Sequence, residues 1–102
     1  MNPDLLDLIL NTSTAYNIDP ALLYATVLTE SGANPSSYRF EPHLNEASYG
    51  LGQLLLSTAQ GLGFRGRPEE LYKPEVNLPL AARYIQQGLG AGARTPQQVA
   101  TF

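Results

Sequence analysis

Apolar residues recur along this chain in short groups with helical spacing, and polar pairs ending in proline stand before three of them. Asn2-Pro3 opens the first group, with Leu5, Leu8 and Ile9 on one face and Tyr16 further along. A capping residue followed by proline at the first helical position is a strong start signal, because that position needs no amide donor. Asp19-Pro20 opens the second group, in which Leu23, Val27 and Glu30 stand at i, i+4 and i+7 and share a face. Thr95-Pro96 opens a last one, where Gln98 completes a capping box with Thr95. Between them, Ser48 is placed to cap a helix in which Leu51, Leu54, Leu55, Ala59 and Leu62 keep a 3.6-residue period, closed by Gly61 and Gly63. Pro68-Glu69-Glu70-Leu71 suits one helical turn within the link Phe64 to Lys73. Asn77 begins a further helix with Leu78, Ala81, Ala82 and Ile85 on one face and Pro79 in its first turn, where proline is tolerated. Gly88 ends it and starts a glycine-rich stretch to Gly92. No segment reads as a strong strand, and Asn34 to Tyr49 has two prolines and no period. The expected fold is therefore all-α, five or six helices with one long loop, a length at which loops are usually functional or mobile.

The second helix carries the most pointed chemistry. Glu30 continues an apolar stripe and falls in the last turn before Gly32. Apolar surroundings and the negative end of the helix dipole both disfavour its ionised form, and a carboxyl protonated near neutral pH suits a general acid. The competing reading is a surface glutamate paired with one of the five arginines.

Composition narrows the classes. The chain has 102 residues, enough for one small domain, and its 43% hydrophobic content argues for a packed core. A net charge of −3 with no basic stripe argues against a nucleic-acid partner. There is no cysteine and a single histidine, His43, which excludes a thiolate or multi-histidine metal site, so no metal or cofactor is expected. No apolar run reaches membrane-spanning length, and the residues after Met1 lack the pattern of a signal peptide.

Three segments in register carry a resemblance. Glu30-Ser31-Gly32-Ala33-Asn34-Pro35, then Ser48-Tyr49-Gly50-Leu51-Gly52-Gln53, then Pro74-Glu75-Val76-Asn77-Leu78 leading to Ala82-Arg83-Tyr84-Ile85, resemble the catalytic domain of the soluble lytic transglycosylases. That resemblance spans roughly Asp19 to Phe102 and implies a lysozyme-like helical fold for residues 1–102 as one domain. The segment Arg39-Phe40-Glu41-Pro42 resembles a loop of one branch of the family. Four departures stand beside it. Gly52 takes the place of the usual Met, and Leu80 to Ala82 lacks the frequent helix glycine. The loop between Glu30 and Gly50 is longer than in the simplest members. The chain ends Val99-Ala100-Thr101-Phe102, where the family continues with a Tyr-Asn segment whose Tyr bonds the catalytic Glu. A fragment, a site completed by a further segment after Phe102 or by another chain, and a degenerate relative each account for that ending.

The resemblance implies cleavage of the bond between N-acetylmuramic acid and N-acetylglucosamine, with Glu30 as sole acid and base and a 1,6-anhydro product. Gln53 is implied as a saccharide hydrogen-bonding group, Ser31 stands beside the acid, and Asn77 supports the site from behind; Gly50 either lets sugar approach the backbone closely or serves only the turn. Tyr49 and Tyr84 are candidates for stacking on sugar rings, although aromatics at helical spacing are more often core. Asn77 reads from spacing alone as a helix cap, Ser31 as a turn-fixing hydroxyl, and His43 is assigned no role. Glu41 and Glu46 are candidate second carboxylates; at a separation of roughly 6.5–9.5 Å from Glu30 they would make the reaction hydrolytic, as in a muramidase. Arg39 beside Glu41 offers a plain ion pair instead. A non-catalytic peptidoglycan-binding component is the alternative outside enzymes. The expected setting is the bacterial cell wall, reached preferably from a phage virion, otherwise by release at lysis or through a secretion machine; the expected partners are peptidoglycan glycan strands and other virion or secretion-machine subunits.

Overall fold

The computed structural model describes residues 3–90. In chain order the elements are α1 (Pro3–Ala15), α2 (Pro20–Ser31), β1 (Tyr38–Glu41), β2 (Glu46–Tyr49), β3 (Leu54–Leu55), α3 (Leu56–Gly61), a 3-10 turn (Pro68–Tyr72) and α4 (Pro74–Gly90). The expected helix at Thr95-Pro96, and Asn2 as a cap, lie outside the described residues.

The all-α expectation of five or six helices is corrected here: among the described residues four α-helices accompany a three-stranded antiparallel sheet of order β1-β2-β3. The segment read as a long loop is a β-hairpin, with Tyr38 opposite Tyr49 and Glu41 opposite Glu46. Its turn, Pro42 to Asn45, is closed by the Leu44 amide on the Glu41 carbonyl (3.0 Å), and Asn45 takes the left-handed φ of 52° that asparagine tolerates. Each strand of the hairpin is four residues long and partly polar, so hydrophobic alternation is too brief to stand out.

The helix expected from Ser48 to Leu62 is also shorter. Ser48 lies in β2, and positive φ angles at Gly50 (72°) and Gln53 (49°) turn the chain before α3 starts at Leu56. The helical spacing of Leu51, Leu54, Ala59 and Leu62 survives only as burial. Leu51 enters one apolar cluster with Ile9, Leu23, Val27, Leu78 and Ile85, while Leu54, Ala59 and Leu62 enter another with Leu71 and Leu80. Leu78 and Ile85 of α4 serve the first cluster and Leu80 the second, so this helix is the axis on which both halves pack.

That axis starts three residues earlier than its sequence suggests. Lys73 offers its carbonyl to the amides of Val76 (3.0 Å) and Asn77 (2.9 Å), and Pro74 takes the first helical position. Pro79 therefore lies inside the helix, beyond its first turn, where it leaves the Glu75 carbonyl without its usual amide. The helix also runs past Gly88 to Gly90.

The start and stop of α2 are as its caps specify. Asp19 accepts from the Ala21 amide (2.9 Å), and Gly32 (φ 63°) ends the helix, with the Gly32 amide on Leu28 and the Ala33 amide on Val27. Glu30 is thereby fixed in the final turn. No helix among the described residues is long and apolar enough to cross a membrane.

Candidate active site

A groove of about 710 Å³ runs beside Glu30. One wall is helical: Thr26 and Glu30 come from α2, and Ala81, Tyr84 and Ile85 from α4. The hairpin contributes Glu41, His43, Leu44 and Ser48. Gly52, Gln53, Leu54, Leu55 and Thr58 join the two.

Glu30 is half-buried, and burial pushes its pKa above the ordinary 4.5, with the positive charge of Arg39 pulling the other way. Its place at the carbonyl end of α2 adds a further penalty on the charged form. Tyr84 is raised from 10.0 by its own burial and then by the charge of Glu30, which sets the phenol within electrostatic reach of the carboxyl. A carboxyl, a phenol and an apolar surface thus share one wall.

Gln53 lines the groove, but its amide nitrogen is already committed. Nε2 donates to the carbonyls of Ser37 (3.1 Å) and Gly50 (3.0 Å). Both amide protons are used, so Oε1 is the atom left to accept from a ligand. The side chain is held in place by the same turn that it closes.

Asn77 is not a helix cap. It is fully buried inside α4, where Oδ1 accepts from the Gly52 amide (2.9 Å) and Nδ2 donates to the carbonyls of Tyr49 (2.9 Å) and Leu71 (2.8 Å). One side chain therefore ties the 49–52 turn and the 3-10 turn to the central helix. Gly50 lies directly over this bracket, and a β-carbon there would overlap the Leu71 carbonyl and the Asn77 amide. Gly50 is buried and does not line the groove.

Three other sequence candidates also stand outside the groove lining. Ser31 donates to the Val27 carbonyl (3.0 Å) and closes α2. Tyr49 is the middle of an edge-to-face chain, 5.6 Å from Tyr38 and 5.7 Å from Tyr72. Glu46 spends both oxygens on Ser57, at the amide (3.0 Å) and the hydroxyl (2.8 Å), and so caps α3. Glu41 does line the groove and is ion-paired with Arg39, Nε to Oε1, at 3.2 Å.

Several lining residues escaped the sequence reading. Thr26 precedes Glu30 by one helical turn and was findable by that spacing. His43, Leu44 and Ser48 reach the groove only because residues 38–49 fold back as a hairpin. Among the described residues no group of three or more His, Cys, Asp or Glu side chains could hold a metal.

Comparison with known proteins follows the same residues. The family described as "Transglycosylase SLT domain" matches over residues 7–101. The chain is 34% identical over 93 residues to proteins named endo-type membrane-bound lytic murein transglycosylase A from Salmonella paratyphi B, Salmonella enteritidis and Salmonella typhimurium. Each alignment covers 81% of this chain and 43% of the relative, so the chain spans less than half the length of these relatives. No solved structure matches.

Proposed function

From the premise that this chain belongs to the transglycosylase SLT family, we propose that it is a peptidoglycan lytic transglycosylase acting at the bacterial cell wall. The observation that carries the reading is Glu30: a half-buried carboxyl, raised in pKa by burial, on the wall of a groove of about 710 Å³. Protonated Glu30 donates to the oxygen between N-acetylmuramic acid and N-acetylglucosamine. The sugar's own acetamido group supports the oxocarbenium that develops, a substrate-assisted route. Glu30, now a carboxylate, takes the proton of the C6 hydroxyl, which closes a 1,6-anhydro ring. No water enters the bond-forming step, so no second carboxylate is required. Gln53 Oε1 is the proposed acceptor for sugar donors, and Tyr84 an aromatic surface against the ring. Asn77, Gly50 and Ser31 hold the frame.

Hydrolysis is the second reading, because Glu41 lines the same groove. Digestion of purified cell walls, followed by mass spectrometry, separates the two: anhydromuramyl ends support the transglycosylase and reducing muramic ends the hydrolase. Release of neither would leave a glycan-binding component. Glu30→Gln is expected to lower turnover by about two to four orders of magnitude, the range for a lost acid–base group. Delivery by a phage particle or a secretion machine is a separate proposal, tested by searching purified particles and culture medium for this polypeptide.

A further inference from the structure

The hairpin wall holds a carboxylate that the chemistry above leaves without a task. Glu41 closes β1 and lines the same groove as Glu30. Its side chain is 20% exposed, whereas that of its partner Arg39 is 75% exposed. The carboxylate is therefore the more buried member of the pair, and it lies in the groove lining. Residues two apart on a strand share a face, so the pairing needs no distortion of β1.

The carboxylate is also held in place. Arg39 is opposite Ser48 and Glu41 opposite Glu46 in the strand register, and the turn is closed immediately after by the Leu44 amide on the Glu41 carbonyl. Glu46, the cross-strand neighbour of like charge, is engaged by Ser57. An ionised carboxylate is acceptor-only and offers about four lone-pair positions, of which Arg39 Nε takes one. A glycan presents the matching chemistry: hydroxyl and acetamido N–H donors along its length.

We propose that Glu41, oriented by Arg39, is a saccharide-anchoring residue that accepts hydrogen bonds from the glycan in the groove that Glu30 lines and takes no part in bond cleavage. The proposal rests on the reading of the groove as a glycan site and assigns the hairpin its role there. Gln keeps the size and polarity of Glu41, and Arg39 stays in contact with solvent when the pair is broken, so Glu41→Gln is expected to change the unfolding temperature little.

The test reads binding and turnover separately. With turnover removed by Glu30→Gln, the chain is titrated calorimetrically with N-acetylglucosamine tetramer. Adding Glu41→Gln is expected to weaken binding about tenfold, the scale of one charge-assisted hydrogen bond. In the active chain, the same substitution is expected to raise KM on cell walls about tenfold, keep kcat within about threefold, and leave the product ends unchanged. Glu41→Asp, which keeps the charge but shortens the reach, serves if Glu41→Gln fails to fold, with the same loss of affinity expected. An unchanged Kd, no tetramer binding by Glu30→Gln, or a collapse of kcat with KM held would each overturn the proposal. Glu41-dependent binding by a chain that cleaves no cell wall would remove the enzymatic reading and keep this one.

Discussion

A β-carbon placed on Gly52 would stand 3.0 Å from the Cβ of Ala81. These positions are two of the chain's departures from the family pattern, glycine in place of methionine and alanine within the segment lacking the helix glycine. They face each other across the contact between the 50–53 turn and α4. The methyl present on the helix occupies the room that a side chain at position 52 would need. The two positions share one packing contact.

Reciprocal substitution tests that coupling. Gly52→Met alone is expected to cost about 1–3 kcal/mol from overpacking, since its Cβ would also come within 3.0 Å of Asn77 Oδ1. Ala81→Gly alone should cost about 1 kcal/mol in helix propensity. The double variant should be more stable than the sum by about 1 kcal/mol or more, measured by urea denaturation. Additivity within about 0.5 kcal/mol would mean the positions are independent.

Asn77 should prove the costliest polar residue to remove. Asn77→Ala strands the Gly52 amide and the carbonyls of Tyr49 and Leu71 inside the protein. With roughly 1–3 kcal/mol for each buried group left unpaired, a loss of at least about 3 kcal/mol is expected. Asn77→Asp should be no better, because it replaces two donors by acceptors facing two carbonyls. Retention of the wild-type denaturation midpoint in either variant would contradict the bracket.

How far the sequence announces these features depends on the distance over which they act. The caps of α2 are local, so Asp19, Pro20 and Gly32 mark that helix, and with it the place of Glu30, in the bare chain. The hairpin is legible only in its turn residues, Pro42 and Asn45; its pairing partners are separated by a turn and share no apolar repeat. Asn77 is farther still from view. Its spacing suggests a cap, and its three partners lie 6 to 28 residues away. The apolar period from Leu51 to Leu62 reports true burial, but two positive φ angles break the helix that it suggests. Burial pattern reads out the core; backbone reversals at Gly50 and Gln53 decide the element.

Glu46 offers a contrast with Glu41. Since both of its oxygens hold Ser57, Glu46→Ala should cost about 1 kcal/mol through the lost cap of α3. Product ends and KM on cell walls should stay as in the unaltered chain. A change in product chemistry in this variant would reassign Glu46 to the groove.

Burial acts on Glu30 twice, through turnover and through stability, by way of the same proton. Its folded pKa lies above the ordinary 4.5 because burial outweighs the opposing pull of Arg39. The folded state therefore binds this proton more tightly than the unfolded chain, and stability falls as pH rises through that interval. The contribution is complete below 4.5, is lost progressively up to the folded pKa, and is gone above it. Glu30→Gln does not titrate. Its stability relative to the unaltered chain should accordingly grow as pH rises through the same interval, while its turnover is lost. Arg39→Gln removes the positive charge that favours the carboxylate. It should move the alkaline limb of the kcat/KM profile to higher pH, because the acid stays protonated longer. Denaturation curves across the acid range and pH–rate profiles check both directions. A limb that moves to lower pH in Arg39→Gln, or a Glu30→Gln stability curve parallel to that of the unaltered chain, would show that the buried carboxyl is not the titrating acid.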